Sequence, residues 1–377
     1  MTMRVTMLMS GAAVAASFLI TLWVVRQGAR RAQWLDHGYQ SGPQKFHGAP
    51  VPRVGGLGVY AGLWVAAGAS WWAGWADAMQ AMWLLLCGLP AFAAGLAEDL
   101  TKKVTPRMRL LACAISAGLA AMVLGVLIDR ADVQWLDALA EAVPLLPLVL
   151  TLVGVAGVAN SVNIIDGFNG LASMCVMLIL LAVAFVAWHV GDAFVMRLAL
   201  ACVAAVLGFF ILNYPAGLIF LGDGGAYFLG FMVAELAILL VQRNEAVSPM
   251  FGLLVCIYPI FETLFSMVRR RMRGRRRATW EPDGIHLHSL LFRRVVRWAV
   301  GGARNAKALN RRNSMTSPYL WAICVLSIAP AVLFYDNTPV LLLCLLLFSL
   351  SYVLLYARIV RFKTPSWLVR VGHVLHR

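Results

Sequence analysis

The run VPLLPLVLTLVGVAGVA (143–159) is followed directly by NSVNIIDGFNG (160–170) and then by LASMCVMLILLAVAFVAWHV (171–190). Each flanking run is long enough to cross a bilayer as an α-helix, which takes about 17 to 25 apolar residues. The segment between them sets Asn160, Asn163, Asp166 and Asn169 at intervals of three, with Gly167 and Gly170 among them. On a helical turn, side chains at that spacing share roughly one face, and helix capping accounts for one or two of the four but not for all. Polar groups at the edge of hydrocarbon are costly, so a cluster of them implies a cavity or a ligand. The pattern indicates a membrane-spanning helical chain and a candidate site at the membrane edge.

The rest of the chain agrees with this reading. Hydrophobic residues make up 61% and charged residues 13%, with a mean hydropathy of +0.79, far from a soluble domain. Further apolar runs lie near 7–25, 55–76, 79–97, 109–128, 194–213, 226–242, 249–268, 318–335 and 338–357. The expected fold is an all-α polytopic integral membrane protein with eleven transmembrane helices, forming one membrane-embedded domain over 1–377. The first run resembles a signal peptide in composition, but it continues to Val25 and ends at an Arg-rich stretch, so it is read as a retained helix.

Orientation follows from where Lys and Arg fall. Arg26, Arg30, Arg31, Lys45, Arg53, Lys102, Lys103, Arg107, Arg109, the run Arg269 to Arg277, and Arg358, Arg361, Lys363 and Arg370 all fall on one set of connections or the tail. The alternate connections are acidic or nearly uncharged, holding Asp77, then Asp129, Arg130, Asp132, Asp137 and Glu141, then Asp192, then Arg243 and Glu245, then Asp336. The amino terminus is therefore expected outside and the carboxyl terminus in the cytoplasm. The net charge of +15 is explained by this topology, and nucleic-acid binding is excluded as a reading. All seven Cys fall inside expected helices without metal-ligand or CxxC spacing, which makes them packing residues.

Residues 269–316 form the longest connection, a basic cytoplasmic loop too short for its own core. Within it Leu287, Leu290, Leu291, Val295 and Trp298 recur at helical spacing between Arg293, Arg294 and Arg297. This predicts an amphipathic helix at the cytoplasmic interface.

Four more polar clusters fall on the cytoplasmic side. GPQKFHGAPVPRVGGLGVY (42–60) has prolines that impose extended backbone and glycines that permit close approach, with Lys45, His47 and Arg53 giving positive charge. GLAEDLTKKVTPRMRL (95–110) ends a helix on Glu98 and Asp99, against the macrodipole. Compensation is expected from Lys102 and Lys103, from a divalent cation, or from a phosphate-bearing substrate. NYPAGLIFLGDGGAYFLGF (213–231) surrounds Asp223 with Gly222, Gly224 and Gly225 at a helix start, suited to capping or to a metal held against phosphate oxygens. PDGIHLHSLL (282–291) places His286 and His288 on either side of Leu287. The surplus of Asp, Asn and Gly favours a hard, oxygen-liganded ion over zinc. Carboxylates, amides, Lys and His on one face are what phosphoryl transfer with Mg2+ requires.

In these five motifs, taken in order from Lys45 to Leu291, the chain resembles the polyprenyl-phosphate N-acetylhexosamine-1-phosphate transferases. Its expected helix count is closer to the O-antigen-initiating branch than to the peptidoglycan lipid I branch. The resemblance implies transfer of a sugar-1-phosphate from a UDP-N-acetyl amino sugar to undecaprenyl phosphate, with release of UMP, in a bacterial inner membrane with the active site on the cytoplasmic face. It implies Asp223 as the main Mg2+ ligand, with Mn2+ as a substitute ion. Asp166 would stand at the catalytic centre and share in the metal, with Asn160, Asn163 and Asn169 toward substrate. Asp99 and Glu98 would lie by the lipid phosphate, and Lys45, His47, His286 and His288 on the nucleotide and diphosphate side. Membrane lipids are expected partners, and a homodimer is compatible with the family.

Three positions depart from the common pattern: Glu98 where many relatives have Asp, Asn169 where several have a second Asp, and Ser289 ending the His motif. The Asn and Ser variants are similar to the branch acting on O-antigen or capsule precursors. The competing reading is a transporter or flippase of a nucleotide sugar or lipid-linked sugar. Such proteins place charges near the bilayer midplane, and here the only acidic residues inside expected helices are Glu235 and Glu262. A scaffold for glycan assembly leaves Asp166 and Asp223 among glycines unexplained.

Overall fold

The computed structural model describes residues 2–28, 34–36, 50–272, 285–297 and 305–361. Helices dominate it: α1 (Thr2–Gly28), α2 (Gly56–Trp72), α3 (Ala78–Cys87), α4 (Leu89–Thr101), α5 (Pro106–Leu124), α6 (Gln134–Ala142), α7 (Leu146–Ile165), α8 (Leu171–His189), α9 (Ala193–Asn213) and α10 (Gly222–Arg243). They continue as α11 (Pro249–Val255), α12 (Ile257–Met272), α13 (Leu287–Leu290), which runs into a π-helical turn over Leu291–Val296, α14 (Ala306–Leu333) and α15 (Thr338–Val360). Helix boundaries follow local chemistry. Thr105 caps α5 through the Met108 N–H, Pro106 occupies its first turn, and Gly125 ends it in the left-handed region.

Among the described residues, eight helices are long and apolar enough to cross a membrane. Two helix pairs pass that test together while bent, α3 with α4 by 43° and α11 with α12 by 69°, giving up to ten spans. Each of the eleven apolar runs expected from sequence carries helix, but the run at 55–76 folds as the 17-residue α2, about 25 Å long at 1.5 Å per residue. A count of eight to ten is therefore what length and composition support.

Helix α10 sits at the centre, buried on all sides from Gly222 to Ala237 and packed on α4 and α7. Its small residues allow this: a methyl group at Gly230 would lie 2.5 Å from the Ala159 Cα of α7. The periphery has the opposite character. Leu343, Leu346, Leu347, Leu350 and Leu354 of α15 are exposed, a stripe that would be an aggregation hazard in water and is normal against lipid. Trp71, Trp72, Trp135 and Trp188 are exposed near helix ends, as aromatic residues are at a membrane interface.

The expected amphipathic helix after residue 287 exists, but its apolar residues are turned inward. Leu287, Leu290, Leu291, Val295 and Val296 are buried, and α13 packs with α14 and α15. Arg293 and Arg297 remain on the exposed side. Trp298, expected to join this face, lies outside the described residues, as do 273–284 and 298–304.

Candidate active site

The site begins as a backbone junction. Val51–Pro52 pairs antiparallel with Leu35–Asp36, and the proline-rich stretch then runs beside residues 220–221: Phe220 N–H donates to the Pro52 carbonyl (2.8 Å), Gly55 N–H to Phe220 (3.0 Å) and Gly56 N–H to Leu221 (2.8 Å). Prolines supply the extended backbone and glycines the approach. Gly222 adopts φ +78° at the start of α10, and a Cβ there would collide with the Arg53 carbonyl and the Asp99 carboxylate. A methyl at Gly95 would sit 2.6 Å from the Asp223 backbone. The three segments bearing Arg53, Asp99 and Asp223 meet because glycines let them.

Asp99 closes this junction electrostatically. Its Oδ1 accepts the Asp223 N–H at 3.0 Å and its Oδ2 the Gly224 N–H at 2.9 Å, so a carboxylate at the end of α4 caps the beginning of α10. The unfavourable macrodipole of its own helix is offset by the favourable one of its neighbour. Arg53 Nε lies 3.0 Å from Asp99 Oδ1, and Arg53 Nη2 donates to Asp223 Oδ1 at 2.9 Å. Asp223 Oδ2 pairs with Arg109, and Asn163 Nδ2 donates to Asp223 Oδ1 at 3.1 Å. Arg109 also lies over the Tyr227 ring, whose hydroxyl donates to Asn160 Oδ1 at 3.3 Å. The site thus gathers Asn160, Asn163, Asp99 and Asp223 around Arg53 of the proline-rich loop and Arg109 of α5.

Of the compensations expected for the acids, Lys102 supplies one: its Nζ donates to the Asp99 carbonyl (2.8 Å) at the end of α4, and its charge acts on the Asp99 carboxylate. Glu98 Oε2 accepts the Val104 N–H (2.8 Å), so this residue braces the turn after α4 while also lining the cavity described below.

Asp166 ends α7, where the polar segment leaves the helix. Burial pushes its carboxyl up to about 7; Arg53 and the Gly222 N–H act against that rise, and nearby Asp99 adds to it. His286 and His288 stack with ring centroids 5.1 Å apart, and a methyl at Gly167, beside Asp166, would lie 3.4 Å from His288 Nε2. The His pair therefore lies against the Asp166 turn. Asn169 points elsewhere: its Nδ2 donates to Asn310 Oδ1 (2.8 Å) and Ser314 Oγ (3.0 Å), and its N–H to Asn313 Oδ1 (2.7 Å). Among the described residues its side chain fastens the loop to α14 and does not line the cavity. Lys45 and His47 lie outside the described residues.

Arg53, Asp166, Asp223, His286 and His288 line one end of a cavity of about 1330 Å3. From there its walls run through Ala156, Leu152 and Ala237 to Ile128 and Leu253. It has a charged end continuous with largely apolar walls, and its lining also includes Asp129 and Arg130. Among the described residues, no three His, Cys, Asp or Glu are grouped as a ready metal cage. Mg2+ rarely uses one; it is ordinarily held by one or two carboxylates, water and substrate phosphate. Asp223 and Asp166 are hard oxygen donors of that kind. With Arg53 and Asn163 on Oδ1 and Arg109 on Oδ2, a lone pair on Asp223 Oδ2 remains available. The donor set fits such an ion.

From sequence Arg53 is one cation of a proline- and glycine-rich loop and Arg109 one of several on a basic connection, and local composition marks neither as a partner of Asp223. One signal existed for Arg109: it lies in the first turn of α5, where a cation opposes the macrodipole. Glu262 was noted only as a buried acid, and its partners come from segments far apart in sequence.

Residues 81–241 match the family model described as glycosyl transferase family 4. That stretch holds Asp99, Asp166 and Asp223, while Arg53, His286 and His288 come to the site from outside it. The chain is 30% identical over 111 residues to a Bacillus subtilis protein named probable undecaprenyl-phosphate N-acetylglucosaminyl 1-phosphate transferase, covering 29% of this chain and 30% of the relative. It is 27% identical over 118 residues to the undecaprenyl-phosphate alpha-N-acetylglucosaminyl 1-phosphate transferase of Salmonella typhi, covering 29% and 31%. The protein of the same name from Thermotoga maritima is 26% identical over 94 residues, covering 25% and 30%. The matched stretches thus span less than a third of each of these relatives. The part of the chain that is similar to glycosyl transferase family 4 is thus the segment that carries its three site aspartates.

Proposed function

We propose that this protein is a membrane enzyme that transfers a sugar-1-phosphate from a UDP-N-acetyl amino sugar to undecaprenyl phosphate and releases UMP. The single observation that carries the reading is the joining of Arg53, Arg109, Asp166 and Asp223 to an apolar cavity of about 1330 Å3, with Asp99 tied to them through Arg53. A polyprenyl phosphate has the same two-part character, an anionic head on a hydrocarbon chain. Following the Lys and Arg bias, the charged end faces the cytoplasm of a bacterial inner membrane, and the reaction is the first membrane step of O-antigen or a related surface glycan.

An oxygen of the lipid phosphate attacks the sugar-linked phosphorus of the nucleotide sugar; a P–O bond forms there, and the P–O bond to UMP breaks. A phosphate monoester is largely ionised near pH 7, its second pKa being about 6, so direct attack needs little help from a base. Arg109 and Arg53 draw the two anionic substrates together and orient them. Asn160 and Asn163 offer amide groups on the same wall, and His286 and His288 face the diphosphate. Asp223 and Asp166 would hold Mg2+, which when bound would supply positive charge against the diphosphate and the departing UMP. The apolar walls keep bulk water from the lipid side.

The length of the cavity also suits a flippase, since its lining includes Asp129 and Arg130 far from Asp223. Between those ends the walls are mainly Ala, Val, Leu and Gly, which suits a lipid tail and opposes passage of a polar sugar. Purified protein incubated with undecaprenyl phosphate, Mg2+ and a panel of UDP-N-acetyl sugars is expected to release UMP with at least one of them, and Asp223→Asn to abolish release. Absence of UMP with every sugar, alongside movement of labelled lipid-linked sugar across vesicles, would establish the flippase instead.

A further inference from the structure

Glu262 is a carboxylate buried inside α12, one of the bent pair α11 and α12. Burying a charge is costly unless it is fully bonded, and here both oxygens are engaged. Oε1 meets His286 Nδ1 at 2.9 Å and accepts the Leu287 N–H at 3.1 Å. Oε2 accepts the Tyr352 hydroxyl of α15 at 2.5 Å. Seven residues further along the same face, Arg269 Nη1 donates to the Ile285 carbonyl (2.6 Å) and to the Tyr356 hydroxyl (2.5 Å). Anchoring of residues 285–287 is already served by Arg269 and by the Tyr356 bond to the Ile285 carbonyl at 3.0 Å. The bond from Glu262 to the imidazole does something different.

The two nitrogens of a His ring lie on opposite edges, and a hydrogen bond at one decides what the other presents. With Nδ1 held by Glu262, Nε2 is left for the other side of the ring, and His286 lines the cavity. The ring stacks on His288, 15° from parallel, and His288 in turn lies against Gly167 beside Asp166. Rotation of one imidazole would disturb the other. Carboxylates that orient an imidazole from behind are a recurring device wherever ring direction matters.

We propose that Glu262 is a positioning residue of the transfer reaction: it holds His286 by Nδ1 so that Nε2 is presented to the phosphate end of the cavity. The kinetic part rests on the proposed transferase reading; the tautomer part does not. The test combines UMP-release kinetics with nitrogen NMR of protein labelled with 15N-His, the His286 signal being assigned by its loss in His286→Asn. Glu262→Leu is expected to lower turnover about 10- to 100-fold, the range for lost orienting partners, and to remove the protonated Nδ1 signature of His286. Glu262→Gln, which keeps an acceptor oxygen at the same reach while the Tyr352 hydroxyl turns to accept, is expected to recover most of the turnover. The double variant Glu262→Leu/His286→Asn is expected to be no worse than His286→Asn alone, since Glu262 acts through that ring. If Glu262→Leu does not fold, Glu262→Asp, with its carboxylate drawn back by one methylene, takes its place.

Losses that multiply in the double variant, or wild-type kinetics in Glu262→Leu, would overturn the proposal, as would a wild-type His286 with an unprotonated Nδ1. Wild-type protein that releases no UMP while its His286 signal still depends on Glu262 would instead overturn the transferase reading and leave the positioning geometry standing.

Discussion

Replacing Gly95 by Ala tests the junction on which the site depends. The added methyl would lie 2.6 Å from the Asp223 carbonyl carbon and oxygen and from Gly224 Cα, where ordinary contact begins at 3.4 Å. Those atoms are backbone, so α4 and α10 must part by about 0.8 Å, and overpacking of this kind costs about 1–3 kcal/mol. The same movement stretches the bonds from Asp99 to the Asp223 and Gly224 N–H groups, now 3.0 and 2.9 Å, to about 3.7 Å, beyond a hydrogen bond. Asp223 is then released from the carboxylate that fixes it, while Arg53, bonded to both acids, can follow only one. A displacement near 1 Å in a phosphoryl-transfer site costs on the order of 100-fold in rate. UMP release should therefore fall by one to two orders of magnitude in Gly95→Ala, with thermal unfolding in detergent moved to lower temperature. Gly118→Ala is the control, because its methyl meets only Leu152 Cδ2 at 3.6 Å and Ala favours helix by up to about 1 kcal/mol. Turnover in Gly95→Ala equal to that of Gly118→Ala would refute the claim that close glycine packing sets the site geometry.

Three further outcomes follow from the same contacts. Arg53→Gln removes the cation shared by Asp99 and Asp223, and leaving the buried Asp99 carboxylate without this ion pair and Asp223 with Arg109 alone should cost on the order of 3 kcal/mol; a calorimetric midpoint within a degree of wild type would contradict this. The Asp166 carboxyl, pushed up to about 7 from an ordinary value near 3.9, binds its proton more tightly folded than unfolded. In metal-free protein, stability should therefore fall as pH rises from about 4 to about 7. Asp166→Asn should reduce that slope, and identical slopes by thermal melting would disprove the coupling. Asn169→Asp loses the donor to Asn310 and Ser314 inside the protein, a cost of about 1–3 kcal/mol. Preference among UDP-sugars should stay unchanged, so a switched preference in product analysis would return Asn169 to the substrate.

Much of the fold was legible because it rests on one-dimensional signals. Apolar runs of spanning length and the alternation of basic with acidic connections need no knowledge of tertiary contacts. The shortfall lies where length and burial diverge: α2 reads as a span over 55–76 but begins at Gly56 and stops at Trp72. The segment after Leu287 shows the same limit in another form. Its period of apolar residues is real, yet periodicity does not say whether the apolar face meets lipid or protein, and here it meets protein. Asn169 looked like its neighbours because a spacing of three is read as one face. The helix ends at Ile165 and Gly170 takes φ +72°, so the face does not continue to position 169, and the side chain goes to α14.

The carboxylates were legible and the arginines were not, for a physical reason. Asp223 among glycines and Asp166 after an apolar run are anomalies against membrane composition, whereas Arg53 and Arg109 fall where the positive-inside bias already expects cations. What distinguishes them is desolvation. A topological arginine keeps its guanidinium in water, but Arg109 has lost most of its side-chain exposure and Arg53 retains only 22%. An arginine withdrawn from water must be matched by fixed acceptors, and Asp99 and Asp223 supply them across separations of 46, 114 and 170 residues. Each charge is explicable only by the others, so local composition reveals half of the network and the three-dimensional pairing supplies the rest. Two cations held in this way are already oriented when an anionic substrate arrives, and preorganised charge of this kind is worth more to a transition state than the same charge on a solvated loop.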